Sequence, residues 1–168
     1  MIEFLSLLWN FVLPFLVVLT VLVFVHELGH YLAARACGIR VEVFSVGFGR
    51  EIFGWTDKLG TRWRLSLIPF GGYVKMFGEM LAVKREDGEP DPTDTMTPEE
   101  KAVAFNTKSL GQRAFVVAAG PFANFLLAIV ILSGMFMTVG QPFTPADVGT
   151  VIEGKAADRA GFKAGDVI

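Results

Sequence analysis

The sequence predicts an α-helical membrane protein that has two transmembrane helices with a small membrane-associated β insertion between them. Hydrophobic residues make up 52% of its 168 residues and the mean hydropathy is +0.51, whereas ordinary soluble domains are roughly 45–50% apolar. Two runs without a charged side chain, residues 4–25 and 114–139, are each long enough to cross a bilayer. Between them lie short segments in which apolar and polar residues alternate, a pattern typical of strands.

The first transmembrane helix is predicted over residues 1–34. Only Ser6, Asn10 and Thr20 are polar within residues 4–25, and 22 helical residues at about 1.5 Å rise each reach roughly 33 Å. The run is longer than the apolar region of a signal peptide, and Glu3 stands where such a peptide carries basic residues. The segment is therefore predicted to stay in the membrane.

This first span ends in the motif His26-Glu27-Leu28-Gly29-His30, which contains both histidines of the chain. Ionisable groups at membrane depth are costly, so their presence there indicates function. On a helix, positions i and i+4 share a face, so His26 and His30 can bind one metal ion. Glu27 lies beside that ion and can take a proton from bound water. The motif therefore predicts a zinc site of the protease type inside a membrane.

A purely structural interpretation of the motif is also available. The imidazoles would bond to carbonyls at a helix end, and Glu27 would extend towards the membrane interface. This interpretation explains neither the i, i+4 spacing nor a carboxylate at that depth.

The only cysteine, Cys37, excludes an internal disulfide and is predicted to be a packing residue. The net charge of −2 is uninformative about nucleic acid, and no basic, aromatic stripe indicates such a partner, so none is predicted.

The second transmembrane helix is predicted over residues 114–139 and contains Gly120-Pro121 and Asn124. Pro121 removes a backbone donor and Gly120 permits close approach, which predicts a kink or an irregular first turn. Asn124 has two interpretations. It can link helices by hydrogen bonds, or it can donate to a substrate carbonyl beside the metal. The residue pattern alone favours the first.

The loop over residues 35–113 carries every Lys and Arg of the chain except Lys155, Arg159 and Lys163. The positive-inside rule therefore predicts that this loop is cytoplasmic and that both chain ends are extracytoplasmic. Residues from about 41 to 76 alternate and contain glycine-rich turns, which predicts β-hairpin-like strands that return towards the membrane. Residues from about 83 to 100 are rich in Pro, Asp, Glu and Thr, which predicts a flexible acidic stretch.

Six short motifs follow one another through nearly the whole chain: residues 26–30 (HELGH), 44–49 (FSVGFG), 57–61 (DKLGT), 68–76 (IPFGGYVKM), 105–109 (FNTKS) and 119–125 (AGPFANF). Together they resemble the site-2 protease family of intramembrane metalloproteases, in particular the bacterial regulator-of-sigma-E protease group. This order of motifs is far more specific than the zinc motif alone.

The resemblance implies Zn²⁺ as cofactor, His26 and His30 as zinc ligands and Glu27 as catalytic base. The implied enzyme is a multi-pass protein of the bacterial inner membrane that performs regulated intramembrane proteolysis. Its partners would be the lipid bilayer and substrates with a single transmembrane helix, such as anti-sigma factors and remnant signal peptides. The alternative from another class is a non-catalytic metal-binding membrane adaptor or an ion-handling protein.

The resemblance also implies two substrate contacts. The segment with Gly71 and Gly72 would belong to a membrane-associated β-hairpin that engages the substrate. Asn124 would match an asparagine beside the active site, which favours the catalytic interpretation of this residue. We expect an unwound substrate to add as a strand near Gly71 and Gly72, because its freed backbone groups need partners.

The last segment, residues 140–168, is predicted to be extracytoplasmic. Its residues 149–168 look like the opening of a PDZ domain, with a strand, a short helix and a Gly-Asp turn. About twenty residues cannot bury a core, so the chain is expected to be an N-terminal fragment. In the family the third zinc ligand is an Asp on a later transmembrane helix, and no match to it is present in residues 1–168.

Overall fold

A computed structural model describes residues 6–79, 95–141 and 146–167. The chain divides into two compact units, Met1–Val130 and Ile131–Ile168. In the described part a π-helical turn, Leu8–Val12, precedes helix α1 (Leu13–Ala36). The further elements are strands β1 (Val41–Thr56) and β2 (Arg62–Met76), helix α2 (Pro98–Val103) and helix α3 (Leu110–Thr138). The predicted combination of two long apolar helices with a β insertion is confirmed.

Both long helices extend beyond the predicted spans. α1 continues to Ala36, and α3 begins at Leu110 because Ser109 caps it. The Ser109 hydroxyl accepts a hydrogen bond from the Gln112 backbone N–H at 3.3 Å, and the Gln112 side chain accepts one from the Ser109 N–H at 3.2 Å. Such a reciprocal pair fixes a helix start. Pro121 consequently lies inside α3 instead of near its beginning, and the helix continues past it.

β1 and β2 form one antiparallel two-stranded sheet in which each strand bends, so that the first half of β1 lies between the two halves of β2. The first half of β1 pairs with the end of β2, from Val41 opposite Met76 to Val46 opposite Gly72. It also pairs with the start of β2, while residues 51–56 pair with residues 62–66. Residues 72–76 therefore lie at one edge of the sheet, and no further strand pairs with them in the described part of the chain.

The core of the first unit lies between the end of α1 and the sheet. Phe44 is buried and stacks on Trp63 at a centroid distance of 4.3 Å, and Tyr31 of α1 packs edge-on against both rings. Val116 of α3 is also fully buried against this cluster. Because aromatic side chains bury large areas, this cluster holds the sheet beside the turn of α1 that carries the histidines.

Asp57 connects the turn between the strands to α1. Its carboxylate accepts hydrogen bonds from the Leu59 and Thr61 N–H groups at 2.8 and 3.0 Å, and from Trp63 Nε1 at 2.9 Å. The Tyr31 hydroxyl donates to it at 3.5 Å. Burial acts to raise the pKa of Asp57, but the hydrogen bonds from Trp63, Thr61 and Leu59 outweigh it and hold the pKa below its usual value.

Because the folded pKa of Asp57 is lowered, its carboxylate stabilises the fold above the unfolded-state pKa, and this contribution is lost as the pH falls through the folded-state pKa. We expect Asp57→Asn to lower the free energy of unfolding by roughly 0.5–1 kcal/mol at neutral pH, because solvent screens much of the interaction, and the difference from wild type to shrink in acid. Thermal unfolding in detergent at several pH values measures this. Asp158→Asn is the control, since its carboxylate accepts a backbone hydrogen bond in the exposed second unit.

The structure differs from the predicted flexible acidic stretch at that stretch's end. Residues 98–103 form α2, because Thr97 and Glu100 make a capping box and Pro98 occupies the first turn. The earlier part of the stretch, up to residue 94, lies outside the described residues.

The second unit contains the end of α3 and the segment over residues 146–167. This segment has one short helix, α4 (Ala156–Arg159), and an isolated antiparallel bridge between Asp147 and Val167. The Val148 N–H donates to the Asp166 carbonyl at 2.8 Å, and the Gly165 N–H donates to the Val148 carbonyl at 2.8 Å. None of residues 146–167 is buried, so within the described residues this segment has turns but no core.

Candidate metal centre

The two histidines of α1 meet at one point. Their Nε2 atoms are 3.2 Å apart, and the ring planes cross at 79°. Two nitrogens that bind one tetrahedral zinc ion at 2.0–2.1 Å lie about 3.3 Å from each other. The separation of His26 and His30 therefore fits two positions of a zinc shell, as their spacing on the helix predicts.

The other ring nitrogen of His30 is held by α3. His30 Nδ1 lies 2.8 Å from the backbone carbonyl oxygen of Val116. A carbonyl can only accept, so the proton is on Nδ1 and the lone pair of Nε2 is free for a metal ion. Metal-binding histidines commonly have such a partner, which fixes the tautomer and the ring orientation. A backbone carbonyl leaves no mark in a sequence, and residue patterns alone could not have identified Val116.

Glycines bring α1 and α3 close enough for these contacts. A Cβ atom on Gly120 would lie 2.6 Å from His30 Cε1 and 2.8 Å from His26 Nε2, which no real Cβ tolerates. A Cβ atom on Gly29 would lie 2.8 Å from the Cβ of Ala123 and would also strike the Ala119 carbonyl. The sequence predicts a close approach at Gly120, and the groups that approach it are the two imidazoles.

A cavity of about 330 Å³ joins α1, α3 and the sheet. Five of the six predicted site residues line it. The sixth, His30, contacts the cavity residue His26 but is not part of the lining. The complete lining is Leu19, Leu22, Val23, His26, Glu27, Phe48, Gly71, Gly72 and Asn124. Apolar walls with a few convergent polar groups are typical of ligand sites.

Gly71 and Gly72 are at positions where side chains do not fit. Gly71 has φ +104°, and a Cβ atom there would lie 2.6 Å from the Phe48 ring. A Cβ atom on Gly72 would lie 2.6 Å from the Ser45 carbonyl oxygen, 2.9 Å from Val23 Cγ1 and 3.1 Å from Glu27 Cγ. The sheet edge thus touches α1 beside the zinc motif.

Phe48 is a cavity residue that the sequence analysis did not single out. Its ring stacks on that of Tyr73 with the centroids 6.2 Å apart. The sequence feature that could have identified Phe48 is its position between Gly47 and Gly49. The φ angles of these glycines, +85° and +83°, bend the strand there. This bend places an aromatic side chain over Gly71.

Asn124 reaches the same point from α3. Its Nδ2 lies 3.4 Å from His26 Nδ1, and its Oδ1 is buried without a hydrogen-bond partner among the described residues. No group of three or more His, Cys, Asp and Glu side chains in residues 6–79, 95–141 and 146–167 could hold a metal ion. The two imidazole nitrogens and the neighbouring carboxylate of Glu27 are therefore the candidate metal-site groups that these ranges offer.

Comparisons with known proteins identify the family of this chain. The model of peptidase family M50 matches residues 14–162. A protein of Agrobacterium fabrum, provisionally named a zinc metalloprotease, is 49% identical over 157 residues, which are 94% of this chain and 41% of the relative. Metalloprotease MmpA of Caulobacter vibrioides is 45% identical over 161 residues, covering 91% of this chain and 40% of the relative.

The regulator of sigma-E protease RseP of Escherichia coli is 46% identical over 156 residues, which are 93% of this chain and 32% of RseP. The chain spans well under half the length of these three relatives. The family match nevertheless covers most of the chain, including both histidines and the whole sheet. The chain therefore belongs to peptidase family M50, a family of zinc-dependent metalloproteases.

Proposed function

We propose that this chain is the metal-binding part of a zinc-dependent intramembrane endopeptidase. The observation that supports it most strongly is the convergence of His26 Nε2 and His30 Nε2 at 3.2 Å, beside a cavity that Glu27 lines. Membership of the family and the names of its relatives agree with this activity. The competing roles, a metal-binding adaptor or an ion-handling protein, would not require a carboxylate next to the paired imidazoles.

When bound, zinc would supply Lewis acidity and make the attacking water more acidic. Glu27 takes the proton from the attacking water and returns it to the amide nitrogen that leaves. His26 and His30 hold the ion, and the contact of His30 Nδ1 with the Val116 carbonyl keeps its ring oriented. We propose that an Asp on a further transmembrane helix supplies the third protein ligand, since two imidazoles fill only half of a tetrahedral shell.

The sheet edge is proposed to bind substrate. A transmembrane helix hides its peptide bonds in internal hydrogen bonds, so the substrate must unwind before cleavage. Residues 72–76 pair with β1 on one side, and the cavity with Glu27 lies next to Gly72. An extended substrate segment that adds along this edge would satisfy its own N–H and C=O groups beside the catalytic carboxylate.

The sheet is also proposed to lie at membrane depth. A Cβ atom on Gly72 would lie 2.9 Å from Cγ1 of Val23, which belongs to the uncharged run of α1. Non-helical backbone is tolerated at that depth where it is covered by protein or lines a cavity. Large apolar side chains at the bends of the strands are exposed and suit a lipid environment: Ile52, Phe53, Leu67, Ile68 and Phe70.

We propose a location in the bacterial inner membrane, with the loop over residues 35–113 cytoplasmic and both chain ends extracytoplasmic. The distribution of Lys and Arg supports this orientation. The proposed substrates are proteins with one transmembrane helix, anti-sigma factors and remnant signal peptides among them. Residues 149–168 are proposed to begin a PDZ domain, with the Gly165-Asp166 turn as the supporting feature.

Metal removal tests the proposed function directly. We expect the purified full-length enzyme to cleave a model single-span substrate in detergent, and a zinc chelator to reduce this rate by at least about 100-fold. Zinc should restore cleavage and magnesium should not, because Mg²⁺ prefers oxygen ligands to imidazoles. Undiminished cleavage by the zinc-free enzyme would contradict the proposal.

Gly72→Ala tests the role of the sheet edge. Its Cβ would press on Val23, Glu27 and the Ser45 carbonyl, so the edge must move away from α1. We expect cleavage to fall by about 10-fold or more while zinc content is unchanged. Gly111→Ala is the control, because a Cβ added at Gly111 meets no atom within 4 Å and the φ of Gly111 lies outside the left-handed region. If both variants cleave like wild type, the edge is not the substrate path.

A further inference from the structure

We propose that Asn124 is a positioning residue for the metal ligand His26. Its amide oxygen accepts a hydrogen bond from His26 Nδ1–H, which fixes the tautomer that leaves Nε2 free for zinc. This role differs from the donation to a substrate carbonyl expected above. The inference rests on the proposed zinc site and concerns how the chain prepares its own ligands.

The first argument is the protonation of His26. Nε2 can bind a metal ion only when the ring proton is on Nδ1, and a protonated Nδ1 needs an acceptor. Asn124 is the side chain that contacts Nδ1, at 3.4 Å from Nδ2. An Nδ2–H donated to Nδ1 would require the proton on His26 Nε2, where it would point at His30 Nε2 only 3.2 Å away. That arrangement links the two imidazoles and blocks metal binding.

The second argument is the amide oxygen of Asn124. It is buried and has no hydrogen-bond partner among the described residues, which is costly for a polar atom. A 180° rotation of the amide exchanges Oδ1 and Nδ2 with almost no change in shape. The rotation gives the oxygen the Nδ1–H of His26 as donor. The same rotation thus gives the Asn124 oxygen a hydrogen-bond donor and the protonated Nδ1 of His26 an acceptor.

The third argument is the arrangement along α3. Val116, Gly120 and Asn124 are spaced four residues apart, so they lie on one face of the helix. Gly120 makes room for the imidazoles, the Val116 carbonyl holds Nδ1 of His30, and Asn124 reaches Nδ1 of His26. Both ligands are thus oriented by the same helix through the ring nitrogen that does not face the metal.

The test measures zinc affinity of the purified full-length protein by competition with a chelator. Loss of an orienting partner typically weakens metal binding 10- to 100-fold, and we expect this loss for Asn124→Leu, which has a similar size but no acceptor. Asn124→Asp keeps the acceptor and should bind zinc at least as tightly as wild type. Asn106→Leu, which removes another buried amide away from the histidines, should leave zinc affinity unchanged.

Recovery of monodisperse protein shows that each variant folds, and Asn124→Ala replaces the Leu variant if that does not fold. A zinc affinity of Asn124→Leu or Asn124→Ala equal to wild type would overturn the inference while the enzyme remained a zinc protease. So would an Asp variant that binds zinc as weakly as the Leu variant. Wild-type protein that binds no zinc would instead overturn the proposed function, and the inference with it.

Discussion

Glu27→Gln is expected to abolish peptide cleavage and to leave the zinc in place. Gln has nearly the same shape as Glu but cannot accept a proton from water, so the loss falls on the chemical step. General acid–base groups typically contribute 10²- to 10⁴-fold, and we expect kcat to fall by at least that factor. Substrate binding should change much less, because the cavity next to Gly72 keeps its lining.

Zinc content and cleavage are measured on the same preparation of Glu27→Gln. Glu42→Gln provides the matched control, because Glu42 pairs with Lys75 at 2.8 Å on the sheet and does not line the cavity. This control should cleave at a rate close to that of wild type. Turnover above about one tenth of wild type by the Glu27 variant would contradict the assignment of the base.

Gly120→Ala is expected to destroy the metal site with a single methyl group. The added carbon would lie 2.6 Å from His30 Cε1 and 2.8 Å from His26 Nε2, so the helices must separate or the rings must rotate. Either movement breaks the alignment of the two Nε2 atoms and the hydrogen bond from His30 to Val116. We expect zinc affinity to fall at least 100-fold and cleavage to be lost with it.

The same substitution elsewhere on α3 separates this effect from helix propensity. Gly111→Ala and Gly134→Ala add a methyl group where no atom lies within 4 Å. In a helix interior, Ala in place of Gly is favourable by roughly 0.5–1 kcal/mol. Both controls should therefore keep zinc affinity and activity. A Gly120→Ala protein that binds zinc like wild type would show that α3 packs less closely on the histidines than the structure indicates.

The helices and the zinc motif could be predicted because each depends on short-range patterns. An uncharged run of about 22 residues admits few structures other than a membrane helix, and the i, i+4 spacing of His26 and His30 fixes a common face once the helix forms. Helix ends were less predictable. α3 begins at Leu110 because Ser109 and Gln112 cap it, whereas hydropathy places the start at the last charge, Arg113.

The β insertion could be predicted as strands but not as this sheet. Alternation identified the strands, and the structure gives Gly71 a φ of +104° and places Gly72 against α1. The bending of each strand into two paired halves could not be predicted. The bend depends on which parts of β1 and β2 pair with each other. The glycines at positions 47 and 49 are compatible with more than one direction of the chain. The place of Phe48 over Gly71 follows from that bend.

The sequence by itself therefore determined the two long apolar helices, the candidate metal-ligand pair, the adjacent carboxylate and the resemblance to the family. Tertiary structure alone decided what holds those groups in position. The partners of the imidazoles, the Val116 carbonyl and Asn124, are 86 and 98 residues away along the chain. A backbone carbonyl is present at every residue and an amide suits many roles, so neither marks its function in the sequence. The close packing of α1 and α3 at Gly120 decides which carbonyl and which amide reach the imidazoles, and this packing depends on the whole fold.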